Sequence, residues 1–101
     1  MFYSGWVLNQ LGVKMSAVKT QFEEILAKVQ NKQVSKNPTQ PEKLKLYAWF
    51  KQAHEGDVQG EEPSMAQFVE RAKYKAWAQC KGMSQEEAMQ AYIDFFQQDN
   101  A

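Results

Sequence analysis

An all-α fold, a four-helix bundle, is predicted by three observations. Apolar residues recur at three- and four-residue steps in four separate segments. Runs of alternating β-branched residues are missing, and Ile and Val are few. Ser, Thr, Pro and Gly punctuate the chain where helices start or stop. Helices of unequal length with one apolar stripe each bury those stripes most simply against one another.

The first helix is expected from about Ser16 to Val34, with Val18, Phe22, Ile25, Leu26 and Val29 on one face. Pro38 pushes Asn37 out of helical conformation, and Thr39 with Glu42 offers a capping box for the next helix. That second helix is expected from about Gln40 to Ala53. Leu46, Phe50 and Ala53 form its apolar stripe, and Tyr47 and Lys51 lie one turn apart on a neighbouring face. His54 to Pro63 reads as a polar loop because Gly56, Gly60 and Pro63 interrupt a run of acids. Ser64 opens the third helix with Gln67 in the return position of a capping box. Met65, Phe68, Val69, Ala72, Ala76 and Cys80 define its buried face, Lys81 sits in its last turn and Gly82 stops it. The fourth helix begins at Ser84, with Glu87 completing a capping box, and Ala88, Met89, Tyr92, Ile93 and Phe96 fill its stripe.

At 101 residues the chain is long enough for one domain with a modest core and too short for two. Residues 1–15 read as an N-terminal extension and 16–101 as the folded domain. Met1 to Val13 is uncharged and partly apolar, but no basic region precedes it. Ser4, Gly5, Asn9, Gln10 and Gly12 break it well below the roughly 20 apolar residues that span a bilayer. It is read as a non-targeting extension, and Met15-Ser16-Ala17 resembles an ordinary start. The 12 basic and 12 acidic side chains cancel, which argues against a nucleic-acid partner and makes any anion site local. The single cysteine, Cys80, allows no internal disulfide and no metal-ligand spacing, which fits a reducing, cytoplasmic setting.

Candidate chemistry lies in three fragments: Tyr47-x-x-Phe50-Lys51-Gln52-Ala53, Ala72-Lys73-Tyr74-x-Ala76-Trp77 and Ala91-Tyr92-Ile93. Brought together by a bundle, they place phenolic rings and ammonium groups around one shallow site. Those groups suit a ligand with an aromatic base, several phosphates and an apolar tail, the make-up of an acyl-coenzyme A. Taken singly, the same residues have plainer readings. Tyr47, Tyr92 and Trp77 at helical spacing are packing residues, and Lys51 and Lys73 are solvated lysines. An enzyme is disfavoured. A cysteine–histidine nucleophile needs both groups within hydrogen-bond reach, and His54 lies beside a loop while Cys80 lies on an apolar stripe. Glu61-Glu62 and Glu86-Glu87 read as loop and helix-start charge.

The fragments Tyr47-Ala48-Trp49-Phe50-Lys51-Gln52-Ala53, Gly56-Asp57, Ala72-Lys73-Tyr74-Lys75-Ala76-Trp77, Lys81-Gly82-x-Ser84 and Ala88-Met89-Gln90-Ala91-Tyr92-Ile93, with Pro63, occur in this order and spacing. Together they resemble the acyl-CoA-binding protein family over about Pro38 to Phe95. The resemblance implies an up-down-down-up four-helix bundle that carries medium- and long-chain acyl-CoA non-covalently, catalyses nothing and needs no metal or cofactor. It implies that Tyr47 and Lys51 face the nucleotide, with Lys51 on phosphate. Lys73 would supply another phosphate contact, and Tyr92 would stack or hydrogen-bond near the nucleotide. Lys32, counted back from Pro38, matches a basic residue late in the family's first helix. Phe50 stands where the family commonly has tyrosine and keeps ring packing without the hydroxyl. Tyr74 replaces a common tryptophan. Trp77 stays with the core. Implied partners are long-chain acyl-CoA and the enzymes that use it, with no nucleic acid and no stable membrane insertion. The alternative is a helical protein-interaction or membrane-surface module with weak or no acyl-CoA binding, kept open by Phe2, Tyr3 and Trp6 in the N-terminal segment.

Overall fold

A computed structural model describes residues 17–97. Those residues form four helices and no strand: α1 over residues 17–30, α2 Gln40–Glu55, α3 Phe68–Ala78 and α4 Gln85–Gln97. The N-terminal extension expected over residues 1–15, and Ser16 as the first helix's start, lie outside the described residues.

Two of the helix starts are made as their sequences specify. At α2 the Thr39 hydroxyl accepts the Glu42 N–H, and the Glu42 carboxylate accepts the Thr39 N–H at 2.9 Å. The Thr39 backbone bond holds the Glu42 carboxyl below its ordinary range. At α4 the Ser84 N–H reaches Glu87 at 2.8 Å and the Glu87 N–H reaches the Ser84 hydroxyl at 3.0 Å.

The other ends differ from expectation. α1 stops at residue 30, short of Val34. Gln33 N–H bonds the Lys28 carbonyl at 2.8 Å and Lys32 N–H bonds the Val29 carbonyl at 3.1 Å. This paired closure turns the chain through Lys32, whose φ is 56°, a left-handed conformation more often occupied by glycine. α2 runs to Glu55, two residues past Ala53, so His54 is helical rather than the start of a loop. α3 begins at Phe68, not Ser64. Gln67 caps it without a side-chain bond, and residues 64–67 close as a turn through Gln67 N–H to the Ser64 carbonyl at 3.0 Å.

Contacts between helix ends establish the topology. Phe22 in α1 meets His54 at the end of α2, so these helices are antiparallel. The Trp77 indole near the end of α3 donates to the Gly56 carbonyl at 2.8 Å, which makes α2 and α3 parallel. Gln52, late in α2, donates to the Met83 carbonyl just before α4 at 2.8 Å. At the other end, Lys36 donates to the Phe95 carbonyl at 2.9 Å and covers its ring, so α4 runs back against α2. The order is up-down-down-up, as expected.

The core joins α1, α2 and α4 through Val18, Phe22, Leu46, Ala53, Ala88, Tyr92 and Ile93. α3 packs on α2 and not on α4. That arrangement overturns the expected buried face of the third helix: Met65, Phe68 and Val69 are exposed, and Ala72, Ala76 and Cys80 are half-buried. The residue α3 does bury is Trp77. Its apolar stripe is present, but α4 does not cover it. Phe50 likewise leaves the α2 stripe. It is 37% exposed and meets the His54 ring at a tilt of 58°, with ring centroids 4.5 Å apart.

Candidate functional site

The loop between α2 and α3 is fastened along α3 by side chains spaced three residues apart. Arg71, Tyr74 and Trp77 donate to the carbonyls of Pro63, Gly60 and Gly56 at 2.8, 2.9 and 2.8 Å. At the α4 end, Asp57 accepts the Gly82 N–H at 2.9 Å and the buried Gln52 amide at 2.8 Å. These bonds hold α3 in register beside α2.

In that register two lysines come to rest against aromatic faces across the α2–α3 seam. Lys73 Nζ lies 5.4 Å from the centroid of the Tyr47 ring, and Lys51 Nζ lies 4.8 Å from that of Trp77. Each ammonium also has a carboxylate partner one turn away on its own helix, Glu55 for Lys51 and Glu70, at 4.0 Å, for Lys73. Exposed pairs of this kind contribute about 0–1 kcal/mol, so they hold the two ammonium groups only weakly. Tyr47, Lys51 and Lys73 are all half-buried. The arrangement can hold an anion beside an aromatic face.

The other expected site residues lie elsewhere. Tyr92 is 6% exposed, edge-on to Phe22 at 5.4 Å, and burial pushes its phenol up from its ordinary value. Phe50 connects to it through a chain of rings, Phe50 to His54, His54 to Phe22 at 5.7 Å and Phe22 to Tyr92. Lys32 is exposed at the turn that ends α1. Sequence reasoning missed Glu55 and Glu70 as counter-ions and Trp77 as the seat of Lys51. The i,i+4 spacing of Lys51 with Glu55 and the i,i+3 spacing of Glu70 with Lys73 were the available signals.

Beside the seam runs an open groove of about 430 Å³ lined by Leu44, Ala48, Trp49, Ala72, Ala76 and Met83, with Cys80 and Lys75 among its other walls. Burial raises the Cys80 thiol above its ordinary value, which reduces its thiolate character. His54 lies on the α1 side of α2, in the wall of a separate pocket with Phe22 and Met89. Among the described residues no cluster of His, Cys, Asp or Glu could hold a metal ion, and no helix is long and apolar enough to cross a membrane.

Comparison with known proteins places this geometry in a family. The family model described as acyl CoA binding protein matches residues 19–96. The acyl-CoA-binding protein of Dictyostelium discoideum is 40% identical over 79 residues, covering 78% of this chain and 92% of that protein. The acyl-CoA-binding protein homolog of Drosophila melanogaster is 42% identical over 78 residues, 77% of this chain and 88% of that one. The crystal structure of Oryza sativa acyl-CoA-binding protein 2 superposes with a TM-score of 0.72 at 34% identity, covering 80% of this chain and 88% of that one. The crystal structure of ACBP from Moniliophthora perniciosa gives a TM-score of 0.68 at 38% identity, covering 75% of this chain and 74% of that one. With the bundle order and these matches together, the chain belongs to the acyl-CoA-binding protein family.

Proposed function

We propose that this protein binds medium- and long-chain acyl-CoA esters non-covalently and carries them through the cytoplasm to the enzymes that use them. Membership of the family carries this reading. The seating of Lys73 on Tyr47 and of Lys51 on Trp77 supports it by supplying two cations beside aromatic faces. In the proposed complex Lys51 and Lys73 exchange their carboxylates for ligand phosphates, and Tyr47 offers its ring to the nucleotide. Lys32, Tyr92 and Phe50 complete the proposed ligand set. Each lysine–phosphate pair at about 4 Å gains on the order of 4 kcal/mol of Coulomb energy at an effective dielectric near 20, before desolvation is subtracted. The acyl chain adds about 0.8 kcal/mol for each methylene taken out of water.

The ester is cargo. The reading includes no catalytic step, metal or cofactor, in keeping with the raised Cys80 thiol and the position of His54 on another face of α2. Calorimetry with palmitoyl-CoA, palmitate and coenzyme A in parallel tests it. Tight binding of the ester and much weaker binding of either half is the expected pattern. Equal affinity for the ester and for coenzyme A would remove the acyl chain from the recognition and overturn the reading.

A further inference from the structure

His54 is the only histidine in the chain, and it stands in the last turn of α2 between two phenylalanines. Its ring centroid lies 4.5 Å from that of Phe50, one turn back on the same helix, and 5.7 Å from that of Phe22 on α1. Phe22 in turn meets Tyr92 of α4 edge-on at 5.4 Å. Among the described residues His54 supplies the one ring that touches Phe50, which is 37% exposed. The half-open Phe50 ring is thus joined to the enclosed rings of the core through an imidazole.

Imidazole is the side chain whose ordinary charge change falls between pH 5 and 8. A positive charge within about 6 Å of an aromatic centroid is attracted by the ring, and both phenylalanines stand inside that distance. Protonation therefore strengthens the hold of His54 on Phe50. The pocket beside His54 receives Lys19 and Glu23 from α1 and Gln85 and Glu86 from α4. On α2 the neighbouring Lys51 and Glu55 are paired with each other. Two pocket carboxylates against one ammonium offset a further positive charge. A ring already held in place has less freedom to lose when a ligand packs on it.

We propose that His54 positions Phe50 for acyl-CoA and that protonating His54 tightens the complex. The inference rests on the proposed carriage of acyl-CoA, with Phe50 in the ligand set. Calorimetry of the full chain with palmitoyl-CoA at about pH 5.5 and about pH 8 tests it, with His54→Gln and Phe50→Leu alongside. The gain in affinity at the lower pH is expected to be about threefold larger in the parent than in His54→Gln, the scale of one exposed cation–ring contact. Ionisable groups common to both proteins, and the phosphates of the ligand, cancel in that comparison. Phe50→Leu should lose the same pH response although His54 is still present, because the ring that transmits it is gone. His54→Asn gives a second reading if His54→Gln disturbs the helix. Equal pH responses in the parent and the His54 variants overturn the proposal and leave acyl-CoA carriage standing. A parental response in Phe50→Leu also overturns it, since His54 would then act without Phe50. Failure of the parent to bind the ester at either pH removes the carriage reading and the inference together.

Discussion

The Oδ1 atom of Asp57 accepts the backbone N–H of Gly82 at 2.9 Å, joining the loop after α2 to the turn before α4 across 25 residues of chain. Gln52 reinforces the link by donating to the same oxygen at 2.8 Å and to the Met83 carbonyl at 2.8 Å. One carboxylate oxygen thus helps set where α4 starts relative to α2.

That bond has a pH signature. The Gly82 N–H, followed by the Gln52 amide, holds the Asp57 carboxyl below its ordinary value of 3.8. A folded-state value below the unfolded one gives stability that is fully present above the ordinary carboxylate range. It is lost as pH falls through the folded value. The melting temperature should therefore decline from about pH 5 toward pH 2, and Asp57→Asn should flatten that decline while lowering the neutral-pH midpoint. Parallel acid profiles for parent and variant would remove Asp57 from the account.

Lys51 and Glu55 should move ligand affinity in opposite directions. Lys51→Ala removes a charge-assisted contact and should weaken palmitoyl-CoA by about ten- to a hundredfold, the range of a hydrogen bond to a charged group. Glu55→Gln frees the ammonium from its helical partner and should tighten binding by up to about fivefold, the scale of an exposed ion pair. Calorimetry at two salt concentrations checks both, with a shallower salt dependence expected for Lys51→Ala. Weaker binding by Glu55→Gln would show that the carboxylate positions Lys51 instead of competing for it.

Lys32 combines a backbone strain with a proposed ligand contact, and one substitution separates them. Lys32→Gly relieves a left-handed φ of 56° and should raise unfolding free energy by about 0.5–1 kcal/mol in urea titration. The same variant loses an ammonium group and should bind palmitoyl-CoA more weakly. Greater stability with unchanged affinity would confine Lys32 to the turn.

Local signals in the chain translated directly into local structure. Thr39 with Glu42 and Ser84 with Glu87 form the boxes their spacing specifies, because each box closes within four residues and needs no distant partner. The stripe of α4 is buried as its period requires, since Ala88, Tyr92 and Ile93 meet both α1 and α2. The stripe of α3 has the same kind of period and stays largely open. Periodicity identifies an apolar face but says nothing of whether a neighbour covers it. The end of α1 was obscured because Lys32 occupies a turn position where glycine would have marked the stop.

By itself, then, the sequence determined the helical class, the cap positions of α2 and α4 and the family, all carried by short-range pattern and ordered fragments. Tertiary structure alone decided that Lys73 rests on Tyr47, that Lys51 rests on Trp77, that Tyr92 is enclosed beside Phe22 and that Phe68 faces water. The two lysine seats depend on how parallel helices α2 and α3 are aligned by the loop carbonyls of Gly56, Gly60 and Pro63, and the enclosure of Tyr92 depends on α4 meeting α1. Such long-range alignment arises only when residues distant in sequence meet in the folded chain.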